Sequence, residues 1–187
     1  MPRLDSILLE HNYDLSNIHL DNLPSMTNLS VMKDNQETSL SITISNCHNL
    51  MSLSLSRNNL ANLALTEVDA LLTLDLEYNQ NLNHTGLGTS LHSIMKSDAE
   101  INLRGTNVRN LDEFVFRPLL EIFTSAEISF GYIDVQNVYL DCGCDVKWII
   151  EDFHFQTDLF KNAKCTDGTS LVDVSLPDYF YFLKTIF

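Results

Sequence analysis

Cationic side chains are scarce in this chain: 11 Lys and Arg stand against 25 Asp and Glu, a formal net charge of −14. Phosphate backbones repel such a surface, which argues against a nucleic-acid partner. No apolar run approaches the ~20 residues that a membrane-crossing helix needs. At the start, only Ile7-Leu8-Leu9 is apolar before Glu10, too little for the hydrophobic stretch of a secretory leader. Catalytic signatures are missing too, with no HExxH, phosphate loop or nucleophile elbow. His11, His19, His48, His84, His92 and His154 are dispersed without ligand-like spacing. Gly86-Leu87-Gly88 alone is a turn signal. Cys142-Gly143-Cys144 is too tight for the common zinc spacing, even with Cys165 and His154 in reserve. The expectation is a chain without cofactor, metal or catalysis of its own.

What the chain does have is repetition. In Leu50-Met51-Ser52-Leu53-Ser54-Leu55-Ser56-Arg57-Asn58, leucine takes the first, fourth and sixth places and asparagine the ninth. Leu4-Ile7-Leu9-Asn12, Met26-Leu29-Val31-Asp34 and Leu71-Leu74-Leu76-Asn79 follow the same frame. Ile101-Leu103 ends in Thr106, while after Ile128-Phe130 the asparagine place holds Ile133. The second strand place therefore falls at Ile7, Leu29, Leu53, Leu74, Ile101 and Ile128, with separations of 22, 24, 21, 27 and 27. Ala126-Glu127-Ile128-Ser129-Phe130 echoes Ala99-Glu100-Ile101-Asn102-Leu103 and supports that last step. This is the leucine-rich-repeat pattern LxxLxLxxN at its usual period. Asn12, Asn58 and Asn79 are the structural amides of such an array, because a buried amide must bond the neighbouring main chain.

Between these segments runs a second rhythm. Leu15-Ile18-Leu20-Leu23 matches Leu60-Leu63-Leu65-Val68, and Ile42-Ile44-Cys47 fits the same frame. Period two and β-branching make these extended segments, whereas Ser90 to Lys96 and Asp112 to Glu121 read as short helices. The expected fold is α/β: a right-handed leucine-rich-repeat solenoid with a parallel sheet on its concave face. Short strands and helices cover the convex face, and a cap closes the C-terminal end. Residues 1–137 hold about six repeats and residues 138–187 the cap. Met1 occupies the place of Leu23, Cys47 and Val68, so the array starts inside a repeat without an N-terminal cap. The expectation is a C-terminal piece of a longer protein, or an incomplete gene model.

After the strand Val138 to Leu140 comes Cys142-Gly143-Cys144-Asp145-Val146-Lys147-Trp148, and later Cys165-Thr166-Asp167-Gly168. Asp145 can cap a helix that turns Trp148, Ile149 and Phe153 to one side, with Trp148 as the plug. This resembles the cysteine-flanked C-terminal cap of extracellular leucine-rich-repeat proteins. Together with Phe116-Arg117-Pro118-Leu119-Leu120, residues 107–180 are also similar to the arthropod secreted proteins named after the non-catalytic subunit of Oplophorus-luciferin monooxygenase. The resemblance implies a secreted, non-catalytic protein that associates with others. It also implies a Cys142–Cys165 bridge. In the family the second cysteine of CxC pairs with a fourth near the end, and here Tyr181 and Phe182 stand in that region. Cys144 is thus without an obvious partner, and Cys144–Cys165 is the alternative pairing.

Two sequons occur, Asn28-Leu29-Ser30 and Asn83-His84-Thr85, and Asn83, set in a loop, is the better glycan acceptor. Strand alternation turns Glu10, Asp75, Glu77, Glu100, Asn102, Arg104 and Glu127 outward on the concave sheet, the usual ligand surface of the architecture. Carboxylates dominate this set, so the expected partner is a protein with a basic patch. The expected function is a non-catalytic binding or scaffold module of a secreted protein; a cytosolic interaction module of the same fold is the alternative.

Overall fold

The structure is a computed structural model and describes residues 4–33, 37–94, 96–125, 130–153 and 159–174. It is a mixed α/β chain whose strands, among the described residues, run parallel in three sheets. Seven strands form the largest: β1 (Ser6–Glu10), β3 (Asn28–Met32), β5 (Ser52–Ser54), β7 (Thr73–Asp75), β8 (Glu100–Asn102), β9 (Tyr132–Asp134) and β11 (Phe160–Lys161). A second sheet holds β2 (Asn17–Asp21), β4 (Leu40–Ser45) and β6 (Leu60–Thr66). In its first three circuits the chain alternates between these two sheets, and each circuit adds one strand to both. The third, small sheet pairs β10 (Tyr139–Leu140) with β12 (Lys164–Cys165).

Register follows the sequence repeats. Ile7, Leu29, Leu53, Leu74 and Ile101 lie side by side across five strands. Ile18, Ile42 and Leu63 do the same in the second sheet. Strand alternation sends these and their i+2 neighbours inward, and one continuous apolar cluster fills the space between the layers. A fully buried leucine contributes roughly 1.5–3 kcal/mol, so this stack is the main source of stability.

The strand expected at Ile128 lies elsewhere. Ile133 pairs with Ile101, so the return takes 32 residues by number rather than 27. Residues 126–129, Ile128 among them, lie outside the described residues; Phe130 is exposed and outside any strand. The cause is the preceding helix, which runs Glu113–Ser125, past the expected end at Glu121. Gly131 then makes the tight return: a Cβ there would sit 2.4 Å from the Ser97 carbonyl oxygen and 2.8 Å from the Phe123 ring. The sheet also gains a strand that the sequence pattern did not announce, with Phe160 in register beside Ile133.

Among the described residues three helices cover the later circuits: α1 (His84–Leu87), α2 (Glu113–Ser125) and α3 (Lys147–Phe153). The segment from Ser90 makes a 3-10 turn, Ser90–Ser93, and Asp112 Oδ1 accepts from Val115 N at the start of α2. Asp145 falls in the 3-10 turn Cys144–Val146 that leads into α3. Trp148, Ile149 and Phe153 are buried from α3, and Trp148 Nε1 donates to Leu111 O at 3.0 Å. Arg117 fastens α2 to α3: Nη2 lies 2.6 Å from Asp152, Nε 2.8 Å from Glu113, and the guanidinium 5.2 Å from the Trp148 ring centre. Cys142 and Cys165 are joined by a disulfide across the small sheet. The side chain of Cys144 lies outside the described residues, and Cys47 is a buried free thiol.

Among the described residues, eight strands leave their sheets through a left-handed residue at a fixed offset. His11, Arg57, Tyr78, Gly105 and Asn137 stand four places after Ile7, Leu53, Leu74, Ile101 and Ile133. Asn22, Asn46 and Glu67 stand four places after Ile18, Ile42 and Leu63. Glycine, asparagine and histidine suit this region, while Arg, Tyr and Glu are held there against preference. At Gly105 the glycine is also demanded by space, since a Cβ would meet the Tyr78 ring at 2.7 Å.

Candidate partner-binding face

The amides that organise the turns are resolved in detail. Asn79 is fully buried; its Oδ1 accepts from Asn58 N and Leu60 N, and its Nδ2 donates to Leu55 O and Leu76 O. Asn58 repeats the arrangement, accepting from Lys33 N at 2.8 Å and donating to Val31 O and Ser56 O. Asn12, at the same place of the first segment, is exposed and donates to Glu10 O. Asp34 lies outside the described residues. At the later places Thr106 Oγ1 donates to Leu103 O, and Val138 is apolar and buried.

This scaffold sets the outward residues of the seven-stranded sheet in straight rows. Asp75, Asn102, Asp134 and Lys161 are in register on consecutive strands, as are Thr73, Glu100 and Tyr132 two residues earlier. Beyond the first row, past the strand ends, lie Glu77, Arg104 and Gln136. Asp75, Asn102 and Asp134 each accept from the backbone N–H two residues on, at 3.0–3.1 Å, which fixes three successive side chains in one orientation.

The rows are cross-linked. Asn102 Nδ2 donates to Asp75 Oδ1 at 3.0 Å and to Glu77 Oε2 at 3.4 Å. Arg104 Nε bridges to Asp134 at 3.4 Å and donates to Gln136 Oε1 at 3.2 Å, while Nη1 stands 3.9 Å from Glu77. Asn162 Nδ2 extends the chain of contacts by donating to Asp134 Oδ1. Next to it the Lys161 ammonium sits over the Tyr132 ring, 3.1 Å from its centre. Burial raises the Tyr132 phenol above its ordinary pKa, and a hydrogen bond with Glu100 adds to the shift.

Of the residues expected on this face, Asp75, Glu77, Asn102 and Arg104 form one network, and Glu100, in register with Thr73 and Tyr132, pairs with Tyr132 beside it. Glu10 lies on β1, three strands from β7, a separation of roughly 14 Å. Glu127 lies outside the described residues. Asp134, Gln136 and Asn162 belong to the network, Tyr132 and Lys161 stand beside it with Glu100, and none of the five follows from the expected strand. Displacing the sixth strand to Ile128 hid Tyr132, Asp134 and Gln136, whereas Lys161 and Asn162 come with β11, which has no repeat of its own. A usable signal was present, for Ile133-Asp134-Val135-Gln136-Asn137 has the same apolar-polar alternation as Leu74-Asp75-Leu76-Glu77-Tyr78.

The two sequon asparagines have different settings. Asn83 caps α1, its Oδ1 accepting from Gly86 N at 2.9 Å. Asn28 opens β3 at the surface and its Nδ2 donates to Thr27 Oγ1. Away from the network, a groove of about 660 Å³ runs along the starts of the strands and is lined by Asp5, Thr27, Met51, Leu72 and Lys96. It contains none of the residues of the face. Among the described residues there is no cluster of metal-ligating side chains and no helix long and apolar enough to cross a membrane.

The arrangement offers a broad, pre-ordered polar surface suited to recognition. No family model, curated protein or solved structure matches the chain.

Proposed function

We propose that the chain is a right-handed leucine-rich-repeat solenoid that acts as a non-catalytic docking module of a secreted protein. Its concave face is the seven-stranded sheet. The observation that carries the reading is the register of that sheet, which aligns the outward side chains of β7, β8, β9 and β11 in rows, with Asp75, Glu77, Asn102, Arg104, Asp134, Gln136 and Asn162 bonded together. Fixed side chains lose little entropy on association, so such a surface is pre-organised for a partner. The partner is a protein with a basic patch: Asp75, Glu77, Glu100 and Asp134 outnumber Arg104 and Lys161, and Arg104 is already engaged by Glu77 and Asp134. Export is supported by the Cys142–Cys165 disulfide, a bond that persists in oxidising compartments. Glycosylation at Asn83, and secondarily at Asn28, belongs to the same reading.

The test is a double charge reversal, Asp75→Lys with Glu77→Lys, on a partner captured from native secretions by the unaltered chain. Affinity should fall about a hundredfold, on the order of 3 kcal/mol for two reversed charges near the centre of an interface. Unchanged affinity removes the face from consideration. Thiol counting on exported material addresses location separately: Cys142 and Cys165 both reactive would favour a cytosolic module.

A further inference from the structure

The second sheet ends at β6, whose strand neighbour among the described residues is β4. With 7 residues β6 is also the longest described strand. Asn46 N of the β4 side donates to Thr66 O, so the even-numbered groups at this end of β6 face β4. Those of Leu63 and Leu65 face away, and so does the Ala61 carbonyl. A long, regular edge of this kind is a template for another strand.

One later segment meets this edge group by group. Gly86 of α1 abuts the Ala61 carbonyl, where a Cβ would collide with the oxygen. Ser90 Oγ accepts from Leu65 N at 3.2 Å and donates to Leu63 O. Ser93 Oγ donates to Leu65 O at 2.8 Å. Gly88, at φ +51, joins α1 to the 3-10 turn, its N–H closing on His84 O. Leu87, Leu91 and Ile94 are fully buried and pin the segment to the core, and Ser90 is only 3 % exposed. Water therefore does not reach the place its hydroxyl fills.

We infer that residues 86–93 are a strap that seals β6, stops the second sheet at three strands and keeps the edge from pairing with a second copy of the chain. Side-chain hydroxyls do the closing. Unlike a fourth strand, they present no new row of main-chain groups for a further strand to join. The strap also lies where the return segments change from strand to helix, since the next return after β8 is α2. The inference is independent of what the seven-stranded sheet binds.

Hydrogen exchange read residue by residue on the full chain, together with light scattering, tests it. In Ser90→Ala the Leu65 amide loses its acceptor and should exchange at least about tenfold faster, while the amides of β4 keep the parent's rates. Ser90→Ala with Ser93→Ala should loosen the strap further. At equal loading its mass should then exceed the parent's, as the opened edge pairs with a second copy. Ser93→Thr, which keeps the hydroxyl, should match the parent in both measurements. Unchanged exchange at Leu65 in Ser90→Ala overturns the inference. An equal acceleration throughout β4, or a double variant whose mass never exceeds the parent's, does so as well.

Discussion

Replacing Asn79 with alanine should be among the most damaging single changes available in this chain. The amide is fully buried and makes four hydrogen bonds to main-chain groups, two accepted and two donated. Alanine cannot replace any of them. The two orphaned donors, Asn58 N and Leu60 N, each carry a desolvation cost of ~1–3 kcal/mol once unpaired. The carbonyls of Leu55 and Leu76 add less, because an oxygen has a second lone pair. A loss of about 3–5 kcal/mol follows, a large share of the 5–15 kcal/mol by which a domain is normally stable. Asn12→Ala is the internal control. It removes the same chemical group at the same place of the repeat, but from an exposed site with one bond to Glu10 O, so about 0.5 kcal/mol or less is expected. Equilibrium urea unfolding of the two variants beside the parent measures both values. If Asn79→Ala costs under about 1 kcal/mol, or the two variants agree, the amides are not what ties successive circuits together.

Removing the bridge by Cys142→Ser with Cys165→Ser should lower stability by about 3 kcal/mol, the chain-entropy value for a separation of 23 residues, and reductant should do the same to the parent in a thermal melt. Arg117→Ala should cost roughly 1–2 kcal/mol through lost packing on Trp148 and two partly exposed ion pairs, and molar salt should shrink the difference in urea titrations. Lys33 gives a pH signature. Its side chain is buried against Leu15 O, Thr38 O and Thr38 Oγ1, and burial lowers its pKa. The unfolded chain therefore binds the proton more tightly, and stability should rise with pH between the lowered folded value and the ordinary lysine value. In Lys33→Met this alkaline rise should vanish from unfolding curves taken across that window.

Much of the fold is legible in the residues because two periodicities coincide. Leucine spacing places five strands of the large sheet, and the alternation at Ile18, Ile42 and Leu63 places all three of the second. The failure at Ile128 has a physical cause. Strands β7, β8 and β9 are only three residues long, too short for alternation to fix register, and two segments of like pattern competed for one place. The length of α2 and the close approach at Gly131 decided between them, and both are facts of packing. Strand β11 has two residues and no repeat of its own, so nothing local announces it. The charged face was half readable: Asp75, Glu77, Asn102 and Arg104 followed from alternation, while Asp134 and Gln136 were lost with the misplaced strand. Burial of Lys33 had no signal, since its identity suggests a solvated side chain.

The asparagine ladder gives the molecule a grain. Asn58 serves Val31 and Lys33, and Asn79 serves Leu55, Asn58 and Leu60, so each amide completes the circuit that came before it in the chain. Peeling circuits from the amino-terminal side costs strand bonds such as those of Asn28 N and Ser52 N but leaves the amide bonds of every remaining circuit in place. Peeling from the carboxyl side removes the amides themselves and with them the partners of Lys33 N, Asn58 N and Leu60 N, and it is on that side that the covalent lock sits.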